Sequence, residues 1–323
     1  MKLLPVSRVD LGEGALAFPH PPTACLRGDG SALAVVAQRA EDGWGTEVVL
    51  ADSSGERARV LLPEGEFGAQ PVIVDRGDDG IVVLVDDRTC VVFDAYLGAS
   101  RIREIVDGSD AADRGPRLPA GGIARATADG DWLAVLTDPI AFQNARTIAR
   151  LRIEADAVSW VRMDLLDGSD YPMAGGRTSS APGGVKAPIV GDVLDVDGIR
   201  FVAAQGSDTM SVNKYGSDFF TLAELDGVGR VTRRVFEESG WKKQPGKHGI
   251  RARFTSDQAS VILSPVFSSG EWKGRQRMLS LADGALHEVP LIRGAAGFAL
   301  VDVRGETAVL ASSSELLFAT VTG

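Results

Sequence analysis

Short apolar strands separated by tight aspartate- and glycine-rich turns recur along this chain, and that recurrence limits it to a repetitive all-β fold. The stretch Arg27–Pro63 shows the unit most clearly. Gly28-Asp29-Gly30-Ser31 is a turn, because Gly tolerates positive φ and Asp or Ser can bond the nearby backbone. Ala32–Gln38 follows as an apolar run carrying β-branched Val35 and Val36. A polar loop, Arg39–Gly45, leads to the alternating strand Thr46–Asp52; Ser53-Ser54-Gly55 turns the chain, and Arg57–Leu62 alternates charged and apolar residues up to Pro63. With Thr23–Arg27 ahead of the first turn, the unit has four antiparallel strands.

The same unit returns downstream, so internal repetition is the primary reading. Strands are expected at Val72–Asp75, Ile81–Val85, Thr89–Asp94 and Arg101–Val106; then at Ile123–Ala128, Trp132–Thr137, Thr147–Ile153 and Val158–Asp164. A fourth unit uses Ile189–Val196, Ile199–Ala204, Phe219–Leu225 and Val231–Phe236. A fifth uses Gly249–Thr255, Ser260–Leu263, Arg277–Leu281 and Leu286–Pro290. The last has three, Phe298–Val303, Thr307–Ala311 and Leu316–Val321, while Lys2–Leu11 carries a strand pattern ahead of the first complete unit. Pairing these two ends supplies the missing strand and removes an exposed edge. The expectation is a single all-β domain over residues 1–323: a six-bladed β-propeller of four-stranded antiparallel blades, its ring closed by the N-terminal strand in the C-terminal blade. The blades are 23–63, 71–107, 122–166, 189–236, 249–290, and 298–322 plus 2–11.

GDGSALAVVA followed by VVLADSSGERARVLL resembles the WD40-like propeller repeat of the TolB type, in which a P-D-G turn precedes an apolar strand, a loop and a strand ending in D-x-x-x-G. FTSDQASVILSPV followed by RMLSLADGALHEVPL is similar. Gly28 and Ser256 stand where that repeat has proline. The resemblance implies the fold and carries no activity with it.

The chain has 323 residues and a net charge of −10, which argues against a surface devoted to nucleic acid. Cys25 and Cys90 sit inside apolar strand patterns and read as small core side chains. Met1–Asp10 falls short of the apolar core of a secretory signal, and no apolar run approaches a membrane span. A cytoplasmic protein without a membrane partner is expected.

In a four-stranded meander the first and third turns share one rim, and the second turn and the link to the next blade share the other. The first set is tight. The second set contains Asp107–Gly121, Asp167–Pro188, Gln205–Ser217, Glu237–His248 and Pro265–Gln276. Long structureless loops are uncommon without a role, so the long-loop rim around the channel mouth is the expected working surface. Its candidate ligand- or partner-binding residues are Asp208, Asn213, Lys214, Tyr215 and Asp218, then Tyr171 and Arg177, and finally Trp241, Lys247, His248 and His20. Polar groups beside Tyr215, Phe219 and Phe220 suit a peptide or sugar. The basic segment Gly229–Phe254, with Trp241, suits a local anionic contact. DGSD at 107–110 and 167–170 reads as turn chemistry, lacking the ligand spacing of a calcium loop.

Signatures of known catalytic elbows, zincins and phosphate loops are absent. Two readings remain. The first is a binding scaffold for a protein, peptide or glycan, needing no cofactor. The second is a metal-dependent lactonase- or hydrolase-type propeller enzyme holding a divalent cation at the channel mouth, to which inner-strand acids such as Asp195 and Asp302 would contribute.

Overall fold

The tight turns are held by their own aspartates. In the computed structural model Asp29 Oδ1 accepts the amide and hydroxyl of Ser31 at 2.9 and 2.6 Å. Asp257 Oδ1 takes the Thr255 hydroxyl at 2.6 Å and the Ala259 amide at 3.1 Å. Asp94 collects the amides of Tyr96, Gly98 and Ala99, which holds Leu97 in the left-handed region at φ 60°. A side-chain acceptor two residues back replaces the missing ladder partner, which is why Asp recurs at these corners. Gly80 is required for a different reason: its φ is +100°, and a Cβ there would lie 2.2 Å from the Phe93 carbonyl oxygen.

The structure describes residues 1–12, 23–40, 43–65, 70–108, 118–137, 146–155, 157–163, 172–173, 177–178, 189–196, 198–206, 219–226, 231–239, 250–265, 275–290 and 292–322. Four four-stranded antiparallel sheets are present among them. The first comprises Thr23–Leu26, Ala32–Ala40, Gly43–Asp52 and Gly55–Leu61. A later one comprises Ile189–Val196, Ile199–Gly206, Phe219–Leu225 and Val231–Ser239. The next runs Ile250–Phe254, Ser260–Pro265, Arg277–Ser280 and Leu286–Glu288. The last takes Ala299–Arg304, Thr307–Ala311 and Glu315–Thr322 from the C-terminus and adds Lys2–Asp10 from the N-terminus. Lys2 lies opposite Thr322 and Asp10 opposite Glu315, with a bulge between Pro5 and Ser7 that leaves Val6 unpaired.

The remaining two units do not form separate sheets. Gln70–Asp75, Ile81–Leu84, Thr89–Phe93 and Ser100–Asp107 make one meander; Arg125–Ala126, Trp132–Thr137, Arg146–Ile153 and Val158–Met163 make another. Both belong to one nine-stranded sheet. Their outer strands pair in parallel, Val158 against Ile105 and Trp160 against Asp107. Their inner edges are joined by Leu118–Ile123, which lies parallel to Gln70–Asp75 and antiparallel to Trp132–Thr137. The strand expected at Ile123–Ala128 is thus split in two. Gly121 and Gly122, at φ +76° and +108°, let the chain turn between its two neighbours where a side chain would be strained.

Apolar faces pack sheet on sheet. Val9, Leu11 and Phe318 of the last sheet share a core with Leu26 and Val49 of the first. Leu33 and Leu50 of the first meet Ile73, Val83 and Phe93. Val72, Leu84 and Cys90 meet Leu136, Leu151 and Trp160 inside the nine-stranded sheet. Leu194 and Leu222 meet Phe254 and Leu263, and Ile262 meets Leu300 and Leu310. Cys25 and Cys90 are buried free thiols, as expected of core side chains. No helix among the described residues is long and apolar enough to cross a membrane.

Removing residues 2–10 strips the buried Leu3 and Val9 from these cores and bares the edge of Glu315–Thr322. Each buried aliphatic side chain is worth about 1.5–3 kcal/mol. The truncated chain should melt at a clearly lower temperature and self-associate, read by thermal melting and light scattering; an unchanged melting curve would refute the role given to this strand.

Candidate functional site

Alternate connections in these meanders leave from opposite rims, and strand ends set their lengths. The first-turn rim carries 27–31, 76–80, 127–131, 255–259 and 305–306, each closing a hairpin within a few residues. Strands that end toward the opposite rim are separated in sequence by 108–117, 207–218, 240–249 and 266–276, residues that for the most part lie outside those described. Short connections occur there too, at 41–42, 85–88 and 312–314. Asp208, Asn213, Lys214, Tyr215, Asp218, Tyr171, Trp241, Lys247, His248 and His20 lie outside the described residues. Arg177 is in the two-residue strand Arg177–Thr178, opposite Met173 of Pro172–Met173.

The centre, where the innermost strands meet, is built from buried charges. Asp192 and Asp302 both follow a bulge in the first strand of their sheet. Asp302 is fully buried and accepts four hydrogen bonds: Leu26 N at 2.7 Å, Ser256 N and Val303 N at 2.8 Å, and a short one from the Ser256 hydroxyl. It therefore ties the last sheet to the two sheets on either side of it. Asp192 accepts Phe254 N at 2.8 Å and Val193 N at 2.9 Å, tying its sheet to the next.

Two arginines reach further across. Arg125 donates through NH2 to the Phe254 carbonyl and lies 3.6 Å from Asp192 Oδ2. Its Nε is buried with no partner. Arg253 points toward the first sheet, with NH1 3.4 Å from the Ala24 carbonyl and NH2 3.5 Å from the Thr23 hydroxyl. Arg27, almost fully buried, bonds Asp75, the Ala95 carbonyl and the Gly77 carbonyl. Burial pushes the Asp192 and Asp302 carboxyls up, against the pull of Arg125 and of their amide donors. Burial also lowers Arg253, which Asp192 and Asp302 oppose. The Cys25 thiol beside this cluster is pushed up by burial, then by Asp75 and Asp302, and Cys90 is pushed up to about 12 by burial. Neither is a thiolate nucleophile at neutral pH.

This arrangement holds sheets together. Asp302, named from the sequence as a candidate channel acid, has its oxygens occupied by backbone amides and a serine; Asp195 accepts Gly198 N at 3.1 Å within its own hairpin. Among the described residues no group of three or more His, Cys, Asp or Glu side chains could hold a metal ion. Sequence reasoning missed Arg125, Asp192 and Ser256. The available signal was an acid inside an apolar inner strand, Asp192 and Asp195 in GDVLDV at 191–196 and Asp302 in LVDV at 300–303, a placement tolerated only when the acid is paired.

A cleft of about 380 Å³ opens on the tight-turn side, between the last and first sheets. Asp29, Asp52, Ser53 and Arg57 of the first sheet face Thr307 and Thr320 of the last. Val6, raised by its bulge and 58 % exposed, forms one lip. Asp52 accepts the Ser54 hydroxyl and amide at 2.7 Å and Arg57 Nε at 2.5 Å. These donors, the Ser54 hydroxyl foremost, hold its carboxyl down at about 2 against an ordinary 3.8. Asp29 is also lowered, its Ser31 hydrogen bonds and Arg27 outweighing the opposing effect of burial.

No protein-family model and no curated protein matches this sequence. Solved structures of propeller type do match in fold. The chain aligns with the Penicillium chrysogenum α-L-arabinanase complexed with arabinobiose at TM-score 0.50 and 10 % identity, covering 99 % of this chain and 98 % of that one. It aligns with a Fusarium graminearum α-L-arabinofuranosidase in complex with an iminosugar inhibitor at 0.51 and 11 %, again over 99 % and 98 %. The Myceliophteria thermophila Cps50 (Swd1) β-propeller domain is similar at 0.46 and 9 %, over 96 % and 100 %. The likeness to the two structures at 0.50 and 0.51 is one of fold.

Two outcomes test this geometry. Asp302→Ala leaves the buried amides of Leu26 and Ser256 without an acceptor and takes away one of the two buried carboxylates that offset Arg125 and Arg253, so it should cost about 3–5 kcal/mol in denaturant unfolding; a loss under about 1 kcal/mol would deny the tie. A carboxyl lowered on folding stabilises fully above its unfolded value and loses that contribution as pH falls through its folded value. Asp52 should therefore titrate near 2 by carboxyl NMR, its contribution fading between 3.8 and about 2. Ser54→Ala should move the midpoint up, and a midpoint already at 3.8 in the unaltered protein would contradict the hydrogen bonds.

Proposed function

We propose that the chain is one six-bladed propeller of TolB-like repeats, closed by its N-terminal strand, that works in the cytoplasm as a binding scaffold. Its partner is a protein, peptide or glycan, engaged through the long-loop rim around the channel. The observation that carries this reading is the spacing of strand ends: hairpins braced by aspartates close one rim within a few residues, and strands that end toward the other are separated in sequence by the longer stretches 108–117, 207–218, 240–249 and 266–276. Loop length costs little thermodynamically, so a rigid array of sheets can carry varied loops at one end for recognition. Asp208, Asn213, Lys214, Tyr215 and Asp218 supply hydrogen-bonding groups and a flat ring on the span 207–218. Tyr171, Arg177, Trp241, Lys247, His248 and His20 belong to the same rim by chain order. The reading needs no cofactor.

A cation-dependent hydrolase is the weaker reading. The inner acids that would serve it are engaged by amides, and a carboxylate satisfied in this way has few lone pairs left for a cation.

Lys214→Ala combined with Tyr215→Ala tests the proposal. On peptide arrays the variant should lose at least about tenfold of the signal retained by the unaltered protein, as expected for residues at the centre of a contact, with its melting temperature unchanged. Equal retention by both would remove this loop from the site.

A further inference from the structure

The cleft between the first and last sheets stands apart from the long-loop rim, and its chemistry is specific. Asp52 is fully engaged: Oδ1 by Ser54 and Oδ2 by Arg57 Nε. Among the described residues that leaves the terminal nitrogens of Arg57, whose side chain is 58 % exposed, without an acceptor and held in a fixed plane. Asp29 uses Oδ1 for Ser31, and its side chain is 56 % exposed; Oδ2 lies 3.8 Å from Arg27 NH1. Among the described residues, the hydroxyls of Ser53, Thr307 and Thr320 have no hydrogen-bond partner. Thr307 and Thr320 are directly opposite each other on neighbouring strands. The cleft thus offers three hydroxyls, each both donor and acceptor, one carboxylate oxygen and one guanidinium edge. Arg27, Asp29, Asp52 and Arg57 sum to zero charge.

We infer that this cleft binds a neutral, hydroxyl-rich ligand, a saccharide unit, across the seam where the N-terminal strand meets the first sheet. An anion would face Asp29 and Asp52. A metal ion would find Asp52 already occupied. A polyol matches mixed donors and acceptors at close spacing, and Val6, 58 % exposed, supplies the apolar contact such a ligand needs for its C–H face. The volume, about 380 Å³, lies within the range of small-ligand clefts. A ligand seated here touches both the sheet containing the N-terminal strand and its neighbour, so binding stabilises the folded form by linkage.

The test uses the full chain with methyl-labelled Val, titrated with arabinobiose, maltose and cellobiose, and with spermidine and citrate as charged probes. The expected result is a saturable shift of the Val6 methyls with at least one disaccharide, accompanied by a rise in melting temperature. Thr307→Val combined with Thr320→Val removes two hydrogen bonds and should weaken binding about tenfold. Ser53→Ala, on an exposed turn that cannot disturb folding, should weaken it by a smaller factor. Lys214→Ala with Tyr215→Ala should leave it unchanged, so this inference and the long-loop proposal fail independently. No shift with any disaccharide, a shift with spermidine or citrate alone, or undiminished binding in both hydroxyl variants would overturn it.

Discussion

Inner-edge backbone amides without ladder partners are the constraint around which this structure is arranged. Leu26 and Phe254 lie on strands with one neighbour, and their amides face the buried centre. A buried amide left unpaired costs about as much as several apolar contacts return. Asp302 and Asp192 answer that need, each from a strand of the adjoining sheet. In doing so they convert apolar contact, which is indifferent to register, into a directional link between sheets. The bulge before each aspartate is part of the same device, since it re-aims the side chain from the sheet's own face toward the neighbouring strand. Arg125 and Arg253 then offset the buried charge, and the unpartnered Arg125 Nε is the residual cost of fitting them in.

The joined second and third meanders solve the same problem with backbone alone. There Leu118–Ile123 supplies ladder partners on the inner side, and Ser100–Asp107 pairs with Val158–Met163 on the outer. Both edges of that pair are thus covered, where the others rely on side chains. The sheet containing Lys2–Asp10 lies at the opposite extreme. Its outer strand is held by one neighbour from the far end of the chain and by Arg59, which donates to the Leu11 carbonyl at 3.1 Å. The arrangement is therefore not uniform in strength: one part is continuous hydrogen-bonded sheet, another is a seam.

Strand positions were legible because period-two burial and aspartate turns are local properties. Ala32–Gln38 was expected and Ala32–Ala40 is found; Ile199–Ala204 extends to Gly206 and Phe219–Leu225 is recovered whole. The joining of two units was not legible. It depends on Gly121 and Gly122 turning the chain between two sheets, and a glycine pair reads equally well as an ordinary loop. The central charges were only half legible. An acid in an apolar strand announces a partner without naming it, and Asp302 was noticed for its charge while its donors, Leu26 and Ser256, are 276 and 46 residues away. The cleft left no trace in sequence. Thr307, Thr320, Asp29 and Arg57 belong to unremarkable hairpins, and only the pairing of the two chain ends beside the first sheet brings them together.

A centre bridged in this way has consequences for where recognition can occur. Arg125 spans from its own meander to the Phe254 carbonyl, and Arg253 from there to the first sheet, so side chains cross between sheets that are not consecutive. A ligand entering at that level would have to displace charge pairs whose removal leaves buried ions uncompensated, a cost a small ligand cannot recover. Binding is therefore confined to surfaces that do not carry the structural load. The seam cleft satisfies this by lying at the surface beside Phe318, walled by Asp29 and Asp52, whose hydrogen bonds are local to their own turns. The separation of a load-carrying centre from the surface is thus a product of the same few aspartates: those at bulges turn inward and hold sheets, and those at turns stay near solvent and brace their own hairpins, Asp29 with one oxygen to spare.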